Sequence, residues 1–156
     1  AFELSLACDV TIAAQGTRFG APEVRFGSGA VALLLPLVAG SKAAREILLT
    51  GDDQITAERA CDLGIVNRVV PAGQELDEAL AVADRMAAAA TTAVRLTKLA
   101  INRGYDAMGL RSTLAQALEL DIFIESSGGP ERAEFDRIRR VDGLQAAIRW
   151  RDAQSG

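Results

Sequence analysis

The chain has 156 residues, 49% of them hydrophobic and 24% charged, a balance that suits a packed globular domain and argues against disorder. Its 17 Lys and Arg against 21 Asp and Glu give a net charge of −4 with no long basic run, so a nucleic-acid surface is not expected. No apolar run approaches the ~20 residues of a membrane-spanning helix, and no basic start with an apolar core marks a signal peptide. Histidine is absent, which excludes Ser-His-Asp and Cys-His catalysis and any His-based metal site within these residues. Acid–base chemistry must then fall to other side chains, the carboxylates first among them. Cys8 and Cys61 are too few for a disulfide framework and suit the reduced thiols of a cytoplasmic protein.

Taken in chain order, the sequence opens at Ala1 and enters an apolar stretch without a polar lead-in, as a chain whose front part is missing would. Residues 2–7 suit a short helix and residues 10–14, with Val10, Thr11 and Ile12, a buried strand. Gln15-Gly16-Thr17 is a turn into a short extended piece, Arg18-Phe19-Gly20, and Pro22 biases Ala21 away from helix. An apolar run at 30–38 closes at Gly40 and heads a largely helical remainder. Ser41 is placed to cap a helix through Leu49 that stops at Gly51. Thr56 caps a second, without the reciprocal capping box because Arg59 stands where Glu or Gln would be; this helix runs to Gly64. Residues 65–70 predict a strand ended by Pro71. Residues 75–90 form an amphipathic helix with Leu76, Ala79, Leu80, Ala83 and Met86 on one face. Helices over 92–103, 109–126, 130–140 and 142–153 follow, separated at Gly128-Gly129-Pro130 and Asp142-Gly143. So few strands do not close a sheet, and the front strands are expected to complete one whose other strands lie elsewhere.

Two carboxylates, Glu3 and Glu23, stand in the otherwise apolar front region. Reversal of the chain after the first strand would bring the second back toward the first. Two carboxylates in one apolar cleft tend to divide into a neutral acid and a charged base, the pair needed to add or remove water across a double bond. Each also has a plain structural reading: an acid in a first helical turn suits the helix dipole, and an acid after a proline suits a solvated loop. Gly27-Ser28-Gly29 is able to present backbone N–H groups to an anion or a water, or to serve as a flexible lead-in; it lacks the lysine of a phosphate loop. Arg132, Arg137, Arg139 and Arg140 read as a solvated helix face, and Phe135 and Trp150 as packing anchors.

The order of motifs carries a resemblance. Phe2-Glu3-Leu4-Ser5-Leu6-Ala7-Cys8-Asp9 and Phe19-Gly20-Ala21-Pro22-Glu23-Val24-Arg25-Phe26-Gly27 resemble the core signature of the crotonase (enoyl-CoA hydratase/isomerase) superfamily. The likeness continues through Leu49-Thr50-Gly51, Ala57-Glu58-Arg59-Ala60, Leu63 to Pro71 and Arg95-Leu96-Thr97-Lys98. It implies an α/β fold, a crotonase-like (ClpP/crotonase) spiral core remnant with a mainly helical C-terminal region, the chain corresponding to the C-terminal part of such a protein. Residues 1–71 would be the part of the core carrying both glutamates, and residues 72–156 a helical region for packing and oligomerisation.

By the same resemblance, Glu3 and Glu23 match the two catalytic glutamates of hydratase members. Glu3 would help activate a water and Glu23 would give a proton to the α-carbon of a 2-enoyl thioester. The substrate would be an acyl-CoA thioester, with CoA as part of it and no separate cofactor or metal, and the assembly a homo-oligomer, a trimer or a dimer of trimers. The family's two oxyanion N–H groups and most of its CoA surface would lie ahead of Ala1, leaving these residues alone nearly inactive. Three further points set this chain apart or leave alternatives. Over Phe26 to Ala32 it is about three residues shorter than the family's usual glycine-rich loop, so Gly29 stands as the substitute for the N–H that seats the water. The ending, through Ile138-Arg139-Arg140 and Gly143-Leu144-Gln145-Ala146-Ala147, resembles one subgroup only. Double-bond isomerisation or another CoA-ester reaction of this superfamily is the alternative chemistry, and a non-catalytic assembly role the alternative class.

Overall fold

A computed structural model describes residues 1–29 and 31–154. The chain begins with helix α1 (Phe2–Ala7), followed by strands β1 (Ile12–Ala14) and β2 (Arg18–Phe19) and a 3-10 turn at Glu23–Phe26. Helices α2 (Leu35–Val38) and α3 (Gly40–Thr50), strand β3 (Ile55–Thr56), helix α4 (Ala57–Asp62) and strand β4 (Arg68–Val70) complete the front portion. Five helices follow: α5 (Glu75–Ala87), α6 (Thr91–Ala107), α7 (Leu110–Ser127), α8 (Pro130–Asp142) and α9 (Leu144–Ala153).

The strands form two small ladders. β1 and β4 run parallel with Ile12 opposite Arg68 and Ala14 opposite Val70. Asn67 N–H to Thr11 O and Gln15 N–H to Val70 O, each 2.8 Å, extend that pairing at both ends. β2 and β3 are antiparallel, Arg18 opposite Thr56 and Phe19 opposite Ile55. A parallel pair needs a long crossover, and α2 to α4 supply it. The main core sits under this crossover, built from Leu6, Ala13, Leu35, Ile47, Ile55 and Val66 with small alanines between. A second, smaller core joins Phe135, Ile138 and Ala147 to Phe26 and Trp150, as expected for the two aromatic anchors.

Several expectations change in the structure. Residues 65–70 are not all strand: the N–H groups of Ile65 and Val66 turn back to Ala60 O at 2.8 and 3.3 Å, closing α4 after Gly64 (φ +76°). Only Arg68–Val70 is left for the ladder. β3 was not expected, because two residues carry no alternating pattern to detect. Ser41 is not a cap. α3 starts at Gly40 with Ala39 at its N-cap position and no side-chain cap bond, since α2 ends one residue earlier and Ser41 already lies inside the helix. Gly40 therefore opens a helix instead of closing one. The run at 30–38 is helical only over Leu35–Val38, because Pro36 belongs in a first turn and fixes where that helix begins; Ala30 lies outside the described residues. Other details are as anticipated: Thr56 Oγ1 accepts the Arg59 N–H at 3.1 Å, and Gly51 ends α3 in the left-handed region.

The amphipathic face of α5 remains open. Leu76 is 69% exposed, and α5 contributes no buried residue. That face lines a groove of about 750 Å³ with Cys8, Val10 and Ile12, and neither Glu3 nor Glu23 borders it. α6 and α7 are likewise apolar and exposed, at Leu96, Ile101, Leu118, Ile122 and Phe123 among others.

Candidate active site

Glu3 lies in the first turn of α1, and the buried Ala32 N–H donates to its Oε1 at 2.6 Å. Ala32 sits in the left-handed region at φ +54°, the one non-glycine among the described residues to do so. The strain of that conformation, of order 1–2 kcal/mol, is held by the surrounding loop and by the bond to Glu3.

Glu23 opens the 3-10 turn directly after Pro22. Its main-chain oxygen accepts the N–H groups of Gly27 and of Ser28, the latter at 3.0 Å, so the turn closes on Glu23 itself. Gly27 takes φ +75°, and a Cβ there would lie 3.0 Å from Arg132 N. Glycine is required on both counts. The Glu23 side chain is half-buried, and its Oε2 is fully buried with no hydrogen-bond partner among the described residues. Buried polar atoms are nearly always satisfied; among the described residues this oxygen is an exception, as is Asp136 Oδ1, which has the Arg139 guanidinium beside it where Glu23 Oε2 has no ion-pair partner.

Gly29 is buried, with Val24 and Ile124 around the place a Cβ would occupy. Its position lies on the short loop that leads from the Glu23 turn to Ala32. The fold thus fastens both glutamates to one loop, Glu23 at its start and Glu3 at its end. Ser28 Oγ donates to Glu125 of α7, which also pairs with Arg132 at 2.9 Å.

Four charged residues that spacing did not single out surround the Glu23 turn. Arg25 pairs with Asp53 at 3.4 Å and with Asp152 at 3.0 Å. Arg151 pairs with the same two carboxylates at 2.8 and 2.7 Å. Arg25 and Asp152 are 127 positions apart, and nothing in a single sequence links partners so distant. Arg132, Arg137 and Arg139 also engage acids, Glu125, Glu134 and Asp136 respectively, so that cluster is an ion-paired helix surface. Arg137 holds the exposed Glu134 carboxyl below its ordinary pKa, chiefly by hydrogen bonding, and is itself raised by it. Among the described residues, no three Cys, Asp or Glu side chains are grouped to hold a metal ion, and no helix is long and apolar enough to cross a membrane.

A short parallel ladder with a helical crossover, and two carboxylates fastened to one loop, belong to a crotonase-like fold. The sequence profile of the enoyl-CoA hydratase/isomerase family matches residues 1–127, and the chain belongs to that family. It is 32% identical to a short-chain-enoyl-CoA hydratase of Clostridium acetobutylicum, over 92% of this chain and 56% of that protein. The crystal structure of an enoyl-CoA hydratase/isomerase from Xanthobacter autotrophicus superposes with a TM-score of 0.92 at 45% identity, over 98% of this chain and 57% of that one. A carnitinyl-CoA dehydratase from Mycobacterium avium superposes at 0.76 with 29% identity, over 87% and 54% of the two chains. The chain therefore spans a little over half the length of these relatives.

Proposed function

We propose that the whole protein is an enoyl-CoA hydratase, adding water syn across the double bond of a 2-enoyl-CoA to give a 3-hydroxyacyl-CoA. The observation that carries the reading is the buried Oε2 of Glu23, which has no hydrogen-bond partner among the described residues. A half-buried carboxylic acid there is placed to give its proton to the substrate α-carbon. Glu3, held through Oε1 by the Ala32 N–H, keeps its second oxygen for a water, whose hydroxyl adds to the β-carbon. One proton and one hydroxyl enter, and the acid is restored from the proton that the water gives up.

Gly29 is the water-positioning residue of this reading, and no hydrogen bond within the described residues engages it. CoA is part of the substrate, and no other cofactor is invoked. Residues 1–71 carry the chemistry and residues 72–156 the packing. The exposed apolar faces of α6 and α7 support a homo-oligomer. It is taken as a trimer or a dimer of trimers, and the protein is assigned to the cytoplasm. The names of the relatives support a CoA-thioester substrate. Oxyanion N–H donors are assigned outside residues 1–156, and loss of one such donor costs ~10²–10³ in rate, so these residues alone are expected to be nearly inactive.

The test is Glu23→Gln in the whole protein, assayed with crotonyl-CoA by loss of the enoyl absorbance. A fall in kcat of at least ~10² is expected for removal of a general acid. Full turnover by the variant, or conversion of a 3-enoyl-CoA without water uptake as the main activity, would overturn the hydratase reading.

A further inference from the structure

The Glu23 turn is fastened from two sides by the last two helices, which lie beyond the residues matched by the family profile. On one side Phe26 stacks on Phe135 of α8 with ring centroids 4.7 Å apart, and the Arg132 guanidinium lies over Phe26 at 5.8 Å. On the other side Arg25 and Arg151 share Asp53 and Asp152 in a closed group of four charges. Arg151 is the one buried charged residue among those described, 8% exposed. An arginine is costly to bury and persists there only when its fork is fully paired, and replacement of such groups by apolar residues is often neutral for stability. Stability is thus a weak reason for this group; the fixing of a unique geometry is the better one.

The geometry says what is fixed. Gly51 ends α3 at φ +68°, and a Cβ there would lie 2.6 Å from Arg25 Cγ, so the Arg25 stem runs directly over that glycine. A Cβ on Gly20 would lie 2.6 Å from Asp52 O and 2.7 Å from Asp53 Cβ, so the chain just before the Glu23 turn is pressed onto the segment that carries Asp53. In a 3-10 turn of three residues per revolution, positions two apart point to different faces. Arg25 is therefore able to anchor to α9 from a face of the turn other than the one that carries Glu23.

We propose that Arg151, with Arg25, Asp53 and Asp152, is a positioning group for Glu23: the C-terminal helix holds the turn, and through it the acid, in register with the reacting carbon. This rests on the hydratase reading of Glu23. The group touches no substrate and acts only through the placement of the turn. Misplacement of a reacting group by about 1 Å is enough to cost ~10²-fold in rate.

The experiment compares Arg151→Gln, Arg151→Lys and Asp152→Asn with Glu23→Gln, in the whole protein, by steady-state kinetics on crotonyl-CoA and by amide hydrogen exchange. Arg151→Gln is expected to lower kcat roughly 10- to 100-fold with KM within about twofold, because the substrate contacts remain. Arg151→Lys, which keeps the charge and loses the fork, is expected to recover part of that. Added to Glu23→Gln, Arg151→Gln is expected to cost nothing further, since the acid it places is gone. Exchange of the Gly27 and Ser28 amides, which bond to Glu23 O, is expected to speed up about tenfold in Arg151→Gln while that of Leu63 at the end of α4 is unchanged. Unchanged kcat and unchanged exchange at these amides overturn the proposal, as does a loss that multiplies in full on the Glu23→Gln background. If Glu23→Gln is fully active, the hydratase reading falls, and amide exchange still decides whether the group holds the turn. If Arg151→Gln does not fold, Asp152→Asn leaves Asp53 to bridge both arginines and decides on the same readouts.

Discussion

The Ala32 N–H donates to Glu3 Oε1 at 2.6 Å across 29 positions of sequence, and in doing so ties the first helix to the end of the glycine loop. Ala32 is only 2% exposed, so without Glu3 its amide would be buried with no acceptor. Orphaning a buried donor costs about 1–3 kcal/mol. Glu3→Ala is expected to lose that much by thermal or denaturant unfolding, and to lose activity with it. Glu3→Gln keeps an acceptor oxygen and is expected to lose under ~1 kcal/mol of stability while still losing turnover. Equal stability losses in the two variants would mean that the bond does not hold the loop.

Gly20 is the tightest backbone approach in the front portion. An added methyl would lie 2.6 Å from Asp52 O and 2.7 Å from Asp53 Cβ, and neither main-chain segment is free to yield. Ala21 N–H also donates to Asp52 O at 3.1 Å, which pins the two segments together. Gly20→Ala is expected to destabilise by about 2–3 kcal/mol, the range for overpacking a closed site, measured by chemical denaturation. Gly16→Ala is the control for turn conformation alone, since nothing lies within 4 Å of its Cβ position although φ is +84°. A smaller loss at Gly20 than at Gly16 would show that the close approach is not real.

The small second core has a spectroscopic reporter, because Trp150 is the only tryptophan. Phe135 is buried against Phe26, and Trp150 packs on the same cluster. Phe135→Ala is expected to cost about 3 kcal/mol, the low end for a buried aromatic since the cluster lies at the periphery. The Trp150 emission is expected to shift to longer wavelength as the ring gains water. An unshifted spectrum with a large stability loss would place Trp150 outside the cluster.

How much of this was readable in the sequence follows from the range of the interactions. The long helices α5 to α9 announce themselves by periodicity and by the breaks at Gly128-Gly129-Pro130 and Gly143, and all lie close to the expected spans. Thr56 and Gly51 are local signals and act as caps where anticipated. The failures are of two kinds. β3 and the shortened β4 are too brief for a pattern, and Ile65 and Val66 are apolar because they are buried, not because they are paired. The joint at Ala39 is set by two helices abutting, which overrides the capping propensity of Ser41. For the candidate site, Glu3 and Glu23 stand out in the sequence as carboxylates in an apolar stretch and by family resemblance, and the structure fastens both to one loop. Their surroundings do not stand out: Ala32 bonds Glu3 across 29 positions, Asp53, Arg151 and Asp152 gather around Arg25 of the Glu23 turn from up to 127 positions away, and only the fold reveals such partners.

Glu134 and Arg137 provide a pH prediction whose sign is set by a hydrogen bond. Arg137 Nε and Nη2 donate to the two Glu134 oxygens at 2.8 and 2.7 Å, a forked pair three residues apart on α8. The bond favours the ionised carboxylate and holds its pKa below the ordinary glutamate value, with the Arg137 charge adding to it and slight burial opposing it. A carboxyl depressed in the folded state adds stability that is present above its unfolded pKa and is lost as pH falls through the folded one. The contribution therefore belongs to the acid side of the profile and is constant at neutral pH. Both side chains lie at the surface, Arg137 55% and Glu134 40% exposed, so salt screens the pair and its effect on unfolding is small. The expected result is a Glu134 carboxyl resonance titrating at lower pH than free glutamate, moving back up in Arg137→Gln and in high salt. A titration unaffected by Arg137→Gln would mean that the fork seen on α8 does not form in solution.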